Sequence, residues 1–397
     1  VDLIAPRSRE EVEAALAKAR DGKRPLLVVG GRTHLDKGNP SLVEAELVMT
    51  GLDRLIEHHP AEMLVVVEAG MRCGRLDQLL AEHRQEWPVD APPEATVGGV
   101  IAAAASSPRR LRVGPVRDLV LEVELLTGGG RWVRAGGRTV KNVSGYDLCR
   151  LLTGSLGTLG VIVQAALKLR PRPRARRTIV AKGGLACAAE LLRAVPRASA
   201  ALVTPTGLEL RLEGWPEDVE EETRRAVELL GGDVVTGVDD RPFPPALSLW
   251  STPVVAEVAV APSKLPAVVR AVGRADRTSG PDPSAGPHPT AGPHPTAGPD
   301  AGTGPDPTGD ADSPAGAWPT TWAALAGVGI CWVGLNDSDE SLERLREAVA
   351  ELGGIAPVVR GPGGLGAPPQ APIVQQRLKY AFDPAGVLAP GRFWGGL

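Results

Sequence analysis

Three stretches of this 397-residue chain combine residue types able to hold a ligand. The first is Gly30-Gly31-Arg32-Thr33-His34-Leu35-Asp36-Lys37-Gly38-Asn39-Pro40, directly after the apolar run Leu26–Val29. The second is Pro92-Pro93-Glu94-Ala95-Thr96-Val97-Gly98-Gly99-Val100. In each, paired glycines let successive backbone N–H groups approach an anion closely, and a Thr hydroxyl adds a donor. A tight strand-to-loop turn would read the same way for either alone; two in one region suggest a bridging diphosphate. The third runs from Lys141-Asn142-Val143-Ser144-Gly145-Tyr146-Asp147 to Gly154, Gly157 and Gly160. Its three-residue glycine period, opening a strand, fits backbone laid against a flat aromatic ligand, and fits a glycine-bent hairpin corner too. No Gly-x-Gly-x-x-Gly follows a strand and no Gly-x4-Gly-Lys-Ser/Thr occurs, so neither a Rossmann dinucleotide site nor a P-loop is supported.

The surrounding elements alternate helix and strand. Ser8 and Glu11 make a capping-box pattern before a helix carrying Val12, Ala15, Leu16 and Ala19 on one face, ended by Asp21-Gly22. Strands are expected at Leu26–Val29 and Leu64–Val67, a helix through Leu76, Leu79 and Leu80, and a hairpin of Leu119–Leu126 with Arg131–Val133 around Gly128-Gly129-Gly130. Past about residue 175 the pattern becomes two strand–helix blocks. The first has helices near 185–194, 216–230 and 263–275 with strands near 208–213 and 254–260. The second has a strand at Gly329–Val333, a helix at 339–352 and a strand near 355–359, before a last helix over about 372–382. The Pro/Arg alternation of Arg170–Arg177 reads as an extended, solvated linker, or as a patch for an acidic partner or anionic surface. Arg109-Arg110-Leu111-Arg112 is a second basic cluster, with ligand phosphates as a further option.

Between the two blocks, 279–316 holds 10 Pro and 8 Gly in 38 residues, a repeated Ala-Gly-Pro-His-Pro-Thr, five Asp and no Lys or Arg. Such a segment cannot repay the entropy of ordering and is expected to be a disordered insertion, leaving the rest of the chain at a net charge of +2. Its deletion should leave ligand binding and solubility intact, checked by circular dichroism and gel filtration of the shortened protein.

Composition narrows the function. A net charge of −3 gives no basic excess, which argues against nucleic-acid binding. Cys73, Cys149, Cys187 and Cys331 share no metal or redox spacing and read as free thiols of a reducing, cytoplasmic compartment. No apolar run reaches a membrane-spanning length, and the opening residues lack a basic-then-apolar signal pattern.

These motifs resemble the vanillyl-alcohol-oxidase-type (PCMH-type) FAD-binding family, most clearly over 1–175. Asp383-Pro384-Ala385-Gly386-Val387-Leu388-Ala389-Pro390-Gly391-Arg392 resembles that family's C-terminal segment. The resemblance implies an α+β fold: a PCMH-type FAD-binding domain of two α+β subdomains over 1–175, an α+β cap over 176–375, and a segment over 376–397 returning to the FAD domain. It implies non-covalent FAD with Gly30, Gly31, Arg32, Thr33, His34 and Leu35 cradling the diphosphate. Thr96, Gly98 and Gly99 would hold the other side, and Tyr146, Gly157, Gly160 and Ile162 would border the cofactor. Arg117 and Asp118 stand where the family carries a polar pair near the cofactor, and read equally as a surface ion pair.

Departures from the family pattern are Arg32 in place of a small residue, Ala104-Ala105-Ser106-Ser107 after the second turn, and Leu156 where catalytic relatives carry Glu. His34 lies two residues past the usual attachment position and reads as a solvated loop histidine. Catalytic relatives use a His-rich metal site in the cap, yet this chain has no His between His83 and His288. No catalytic residue and no metal ligand is therefore assigned. The implied role is the FAD-binding subunit of a glycolate oxidase-type complex, with a second flavoprotein subunit and an iron–sulfur subunit as partners and membrane attachment only through them. A self-sufficient FAD-dependent 2-hydroxy-acid or alcohol oxidoreductase, and a flavin-less structural subunit, are the alternatives.

Overall fold

A computed structural model describes all residues except Ser106, 139–145, 232–233, 238–246, 276–321, 337–339 and 368–371. The insertion 279–316 and the Lys141–Gly145 part of the third motif therefore lie outside the described residues.

The first helix, Arg9–Asp21, begins as its capping residues dictate: Ser8 Oγ accepts from the Glu11 N–H, and the Glu11 carboxylate takes the Arg7 N–H at 2.7 Å. Val12, Ala15, Leu16 and Ala19 are its buried face. It covers a parallel three-stranded sheet in which Ala45–Val48 lies between Asp2–Ile4 and Leu26–Val29. Beside it stands an antiparallel five-stranded sheet, in the order Leu55–His59, Leu64–Glu68, Gly160–Lys168, Val120–Thr127, Trp132–Gly136. One face of that sheet packs Val67, Leu125 and Ile162 against the helices Cys73–Ala81 and Val97–Ala103, while Leu126, Val161 and Val163 turn to the other core.

The second half builds one antiparallel sheet of eight strands, in the order Val234–Gly237, Ala175–Ala181, Gly207–Gly214, Ala198–Thr204, Trp322–Leu325, Ile330–Leu335, Val254–Ala259, Val358–Arg360. Helices Leu185–Ala194, Pro216–Leu230, Leu265–Ala275 and Glu340–Glu351 supply apolar faces to it. The two blocks join edge to edge where Leu202 pairs with Leu325. Strand alternation sends Val254, Ala256 and Val258 to the helices and Val255 and Glu257 to the opposite face.

Two expectations are corrected here. The strands Ala198–Thr204 and Trp322–Leu325 were not anticipated; both are rich in alanine, whose small side chain gives little local β signal. Nor is Arg170–Arg177 a solvated linker. Arg170–Pro171 pairs with Gln85–Glu86, and Ala175–Ala181 is a strand of the large sheet. Arg172 donates to the Gln85 carbonyl at 3.0 Å, and Arg174 lies 4.1 Å over the Trp215 ring. The cluster at 109–112 is likewise committed. Arg109 pairs with Asp90 at 2.8 Å, Glu86 at 2.9 Å and Glu213 at 3.6 Å, bridging the two halves.

After the helix Pro372–Phe382 the chain crosses back to the first half. Leu388 forms a parallel bridge with Leu26, through Leu26 N–H to Val387 O at 2.7 Å and Ala389 N–H to Leu26 O at 2.8 Å. Asp383, 2% exposed, holds this turn by accepting from the Val387 and Leu388 N–H groups and from Lys379 Nζ at 2.8 Å. Asp383→Ala removes all three acceptor contacts and leaves the Lys379 ammonium with only the Thr158 and Leu388 carbonyls and no counter-charge, a loss of about 3 kcal/mol. The melting temperature of the flavin-free protein should fall by roughly 4 °C, read by circular dichroism.

Candidate functional site: a glycine-lined cleft

The strand Leu26–Val29 delivers the first loop to the mouth of a cleft, where it meets the second turn back to back. A Cβ on Gly30 would lie 2.0 Å from Thr96 Oγ1, and one on Gly31 would lie 2.0 Å from the Glu94 carbonyl oxygen. These glycines are needed for the two loops to touch. The loop's backbone is then free for other work: from Gly31 to Leu35, five successive N–H groups find no acceptor among the described residues. Unpartnered amides of this kind are able to bind an anion.

The second turn differs from expectation. Gly98 N–H donates to Ala69 O at 2.8 Å and Gly99 N–H to Thr96 Oγ1 at 3.2 Å, so these amides are spent inside the protein. What the turn contributes is a wall without side chains. A Cβ on Gly99 would find only Thr96 Oγ1 within 4 Å, at 3.0 Å, and one on Gly157 would find only Val28, at 3.6 Å.

The cleft measures about 700 Å³ including its open side. Gly30, Gly31, Arg32, Thr33, His34, Leu35, Thr96, Gly98, Gly99, Gly157, Gly160 and Ile162 all line it. Val28, Met49, Ala69, Ala102, Ala103 and Leu156 add an apolar lining that the sequence reading did not anticipate. Arg32 sits in the left-handed region (φ 61°) and pairs with Glu46. Tyr146 is elsewhere, 94% exposed, and Arg117 and Asp118 form a surface pair at 3.8 Å; none of the three lines the cleft.

His34 is not a solvated histidine. It is half-buried, with Thr33 Oγ1 2.8 Å from its Nδ1, and burial together with Lys37 lowers its pKa against the opposing pull of Glu257. The imidazole is therefore neutral at pH 7. Lys37 reaches Glu257 of the large sheet at 3.7 Å, and Glu257 also accepts from Trp332 Nε1 at 3.1 Å. This acid, which the sequence reading missed, is the one charged side chain in Val254–Ala259. Burial pushes the thiols of Cys73 and Cys331 up to about 12 and that of Cys149 to about 11, so none is a thiolate nucleophile at neutral pH. Among the described residues no group of three or more His, Cys, Asp or Glu is placed to hold a metal ion, and no helix is long and apolar enough to cross a membrane.

Unpartnered amides, a wall bare of side chains and an apolar lining together fit a ligand with a diphosphate at one end and a flat ring at the other. Residues 3–136 match the family model for an FAD binding domain. The chain carries a PCMH-type FAD-binding domain and is an FAD-dependent oxidoreductase. It is similar to glycolate oxidase subunit GlcE of Escherichia coli (strain K12), 29% identical over 98% of this chain and 97% of that one. D-lactate dehydrogenase of Archaeoglobus fulgidus is 36% identical over 173 residues, 43% of this chain and 39% of that protein. Among solved structures, an alkyldihydroxyacetonephosphate synthase shares the fold with a TM-score of 0.63 at 15% identity, over 98% of this chain and 76% of that one.

Proposed function

We propose that this chain is the FAD-binding subunit of a glycolate oxidase-type complex, taking electrons from 2-hydroxy-acid oxidation and passing them to an iron–sulfur partner. The observation that carries the reading is the row of unpartnered amides from Gly31 to Leu35 at the mouth of the cleft. The likeness to a named oxidase subunit along nearly the whole chain supports the subunit role. FAD supplies the electron-accepting ring when bound; the chain's own residues bind, orient and shield it. The Gly31–Leu35 amides take the diphosphate, and the bare wall at Gly99 and Gly157 admits the nucleotide. The apolar lining around Ile162 excludes water. The proposed division is an FAD-binding unit over 1–175, a cap over 176–375 and a return segment over 376–397.

The test is direct. Purified protein should be yellow and release its flavin on heating. Alone, it should leave an electron-accepting dye oxidised when given glycolate or D-lactate, and dye reduction should appear once the partner subunits are added. Rapid dye reduction by the chain alone would make it a self-sufficient enzyme. A protein that stays colourless with excess FAD would end the reading altogether.

A further inference from the structure

One largely buried cation in the cleft has no ion-pair partner among the described residues. Arg392, in the C-terminal return segment, lines the cleft and is only 7% exposed. Its Nη2 donates to the Leu35 carbonyl at 2.7 Å and to the Lys37 carbonyl at 2.8 Å. Its Nε and Nη1 hydrogens have no partner, and no carboxylate lies within ion-pairing distance, among the described residues. Burial pulls its pKa below the ordinary arginine value, with Asp36 pulling the other way, and the group stays charged at neutral pH.

The fold goes to some length to place it. Gly38 (φ 113°) leaves room for the Arg392 stem, which a Cβ there would meet at 3.1 Å. Asn39 accepts nothing from the arginine but clamps its neighbours, donating through Nδ2 to the Phe393 carbonyl at 2.9 Å and through N–H to the Arg392 carbonyl at 2.9 Å. Ser41 Oγ donates to the Pro390 carbonyl at 2.6 Å. A largely buried guanidinium without a carboxylate partner, its free N–H groups open to the cleft, is stabilised by an anion.

Resting on the reading of this cleft as the FAD site, we infer that Arg392 is a binding residue: it ties down the amide loop with Nη2 and offers Nε and Nη1 to the anionic diphosphate of the nucleotide. The family model that matches this chain ends at residue 136, so this contact would come from a segment some 250 residues beyond it.

The experiment uses the full-length protein stripped of flavin, titrated separately with ADP, riboflavin and FAD by calorimetry. Arg392→Met should weaken ADP about 10- to 100-fold, leave riboflavin within about twofold, and flatten the salt dependence of ADP binding. Arg392→Lys should recover most of the ADP affinity and the salt slope, which a purely structural role would not restore through charge. Loss of riboflavin with ADP unchanged would move the contact to the flavin ring and overturn the assignment. Unchanged binding of both, or equal loss of both with unaltered salt slope, would overturn it as well. Should the unsubstituted protein bind neither ADP nor FAD, it is the cleft reading that fails.

Discussion

Replacing Gly99 with valine is expected to give a folded protein that no longer holds flavin. Gly99 lies within the helix Val97–Ala103, where valine is a somewhat better helix former than glycine. The only atom within 4 Å of a new Cβ is Thr96 Oγ1 at 3.0 Å, which must yield a few tenths of an ångström. Both valine methyls then stand in the cleft against the bare wall. Flavin affinity should fall about 10- to 100-fold or more, while the melting temperature of the flavin-free protein moves by no more than about 2 °C. Gly31→Ala supplies the contrast. Its Cβ would press on the Glu94 carbonyl oxygen at 2.0 Å, so the two loops must part, lowering melting temperature and flavin affinity together. Absorbance after desalting and thermal melts of both variants separate a blocked site from a broken loop. Full flavin retention by Gly99→Val would remove the second turn from the site.

The loops of this site were legible in the sequence because each is marked locally: an apolar strand running into Gly-Gly, or a Thr with Gly-Gly behind it. What local pattern leaves undecided is where each amide points. Gly98 and Gly99 read as donors, and only the packing of the turn on Ala69 reveals that their N–H groups are spent. Glu257 escaped notice because a single acid in an apolar strand says nothing of which face it takes or that Lys37 waits across the seam. Arg392 stood inside a recognised motif, yet its arrival beneath Leu35 and Lys37 depends on the Leu26–Leu388 bridge, a contact between opposite ends of the chain. Likewise the arginines of 170–177 read as solvated because their acidic partners, Glu86 and Asp77, are far off in sequence.

Arg109→Met should destabilise the junction between the two halves, and the deficit should depend on pH. The guanidinium faces Glu86, Asp90 and Glu213, all largely buried. Burial works against its charge, but Asp90, Glu86 and Glu213 together hold its pKa above the ordinary arginine value. With methionine there, the ion pairs left among the described residues are Arg176, 3.5 Å from Glu86 and 3.6 Å from Glu213, and Arg211, 3.3 Å from Glu213, while Asp90 keeps no cation. Leaving buried charge uncompensated costs about 3–5 kcal/mol, a fall of roughly 4–6 °C in melting temperature at pH 8. Burial already holds the Glu86 carboxyl above its usual range despite the pull of Arg109, and losing that pull raises it further. A carboxyl whose folded pKa is raised favours the folded state below its unfolded value and loses that contribution as pH rises through the folded value. The gap between variant and unsubstituted protein should therefore narrow toward pH 5, as the raised Glu86 carboxyl takes up its proton. Melts at the two pH values decide the cause: an equal gap at both would assign the loss to packing. A gap that closes on acidification would show that charge pairing at Arg109 holds the large sheet against the flavin-binding half.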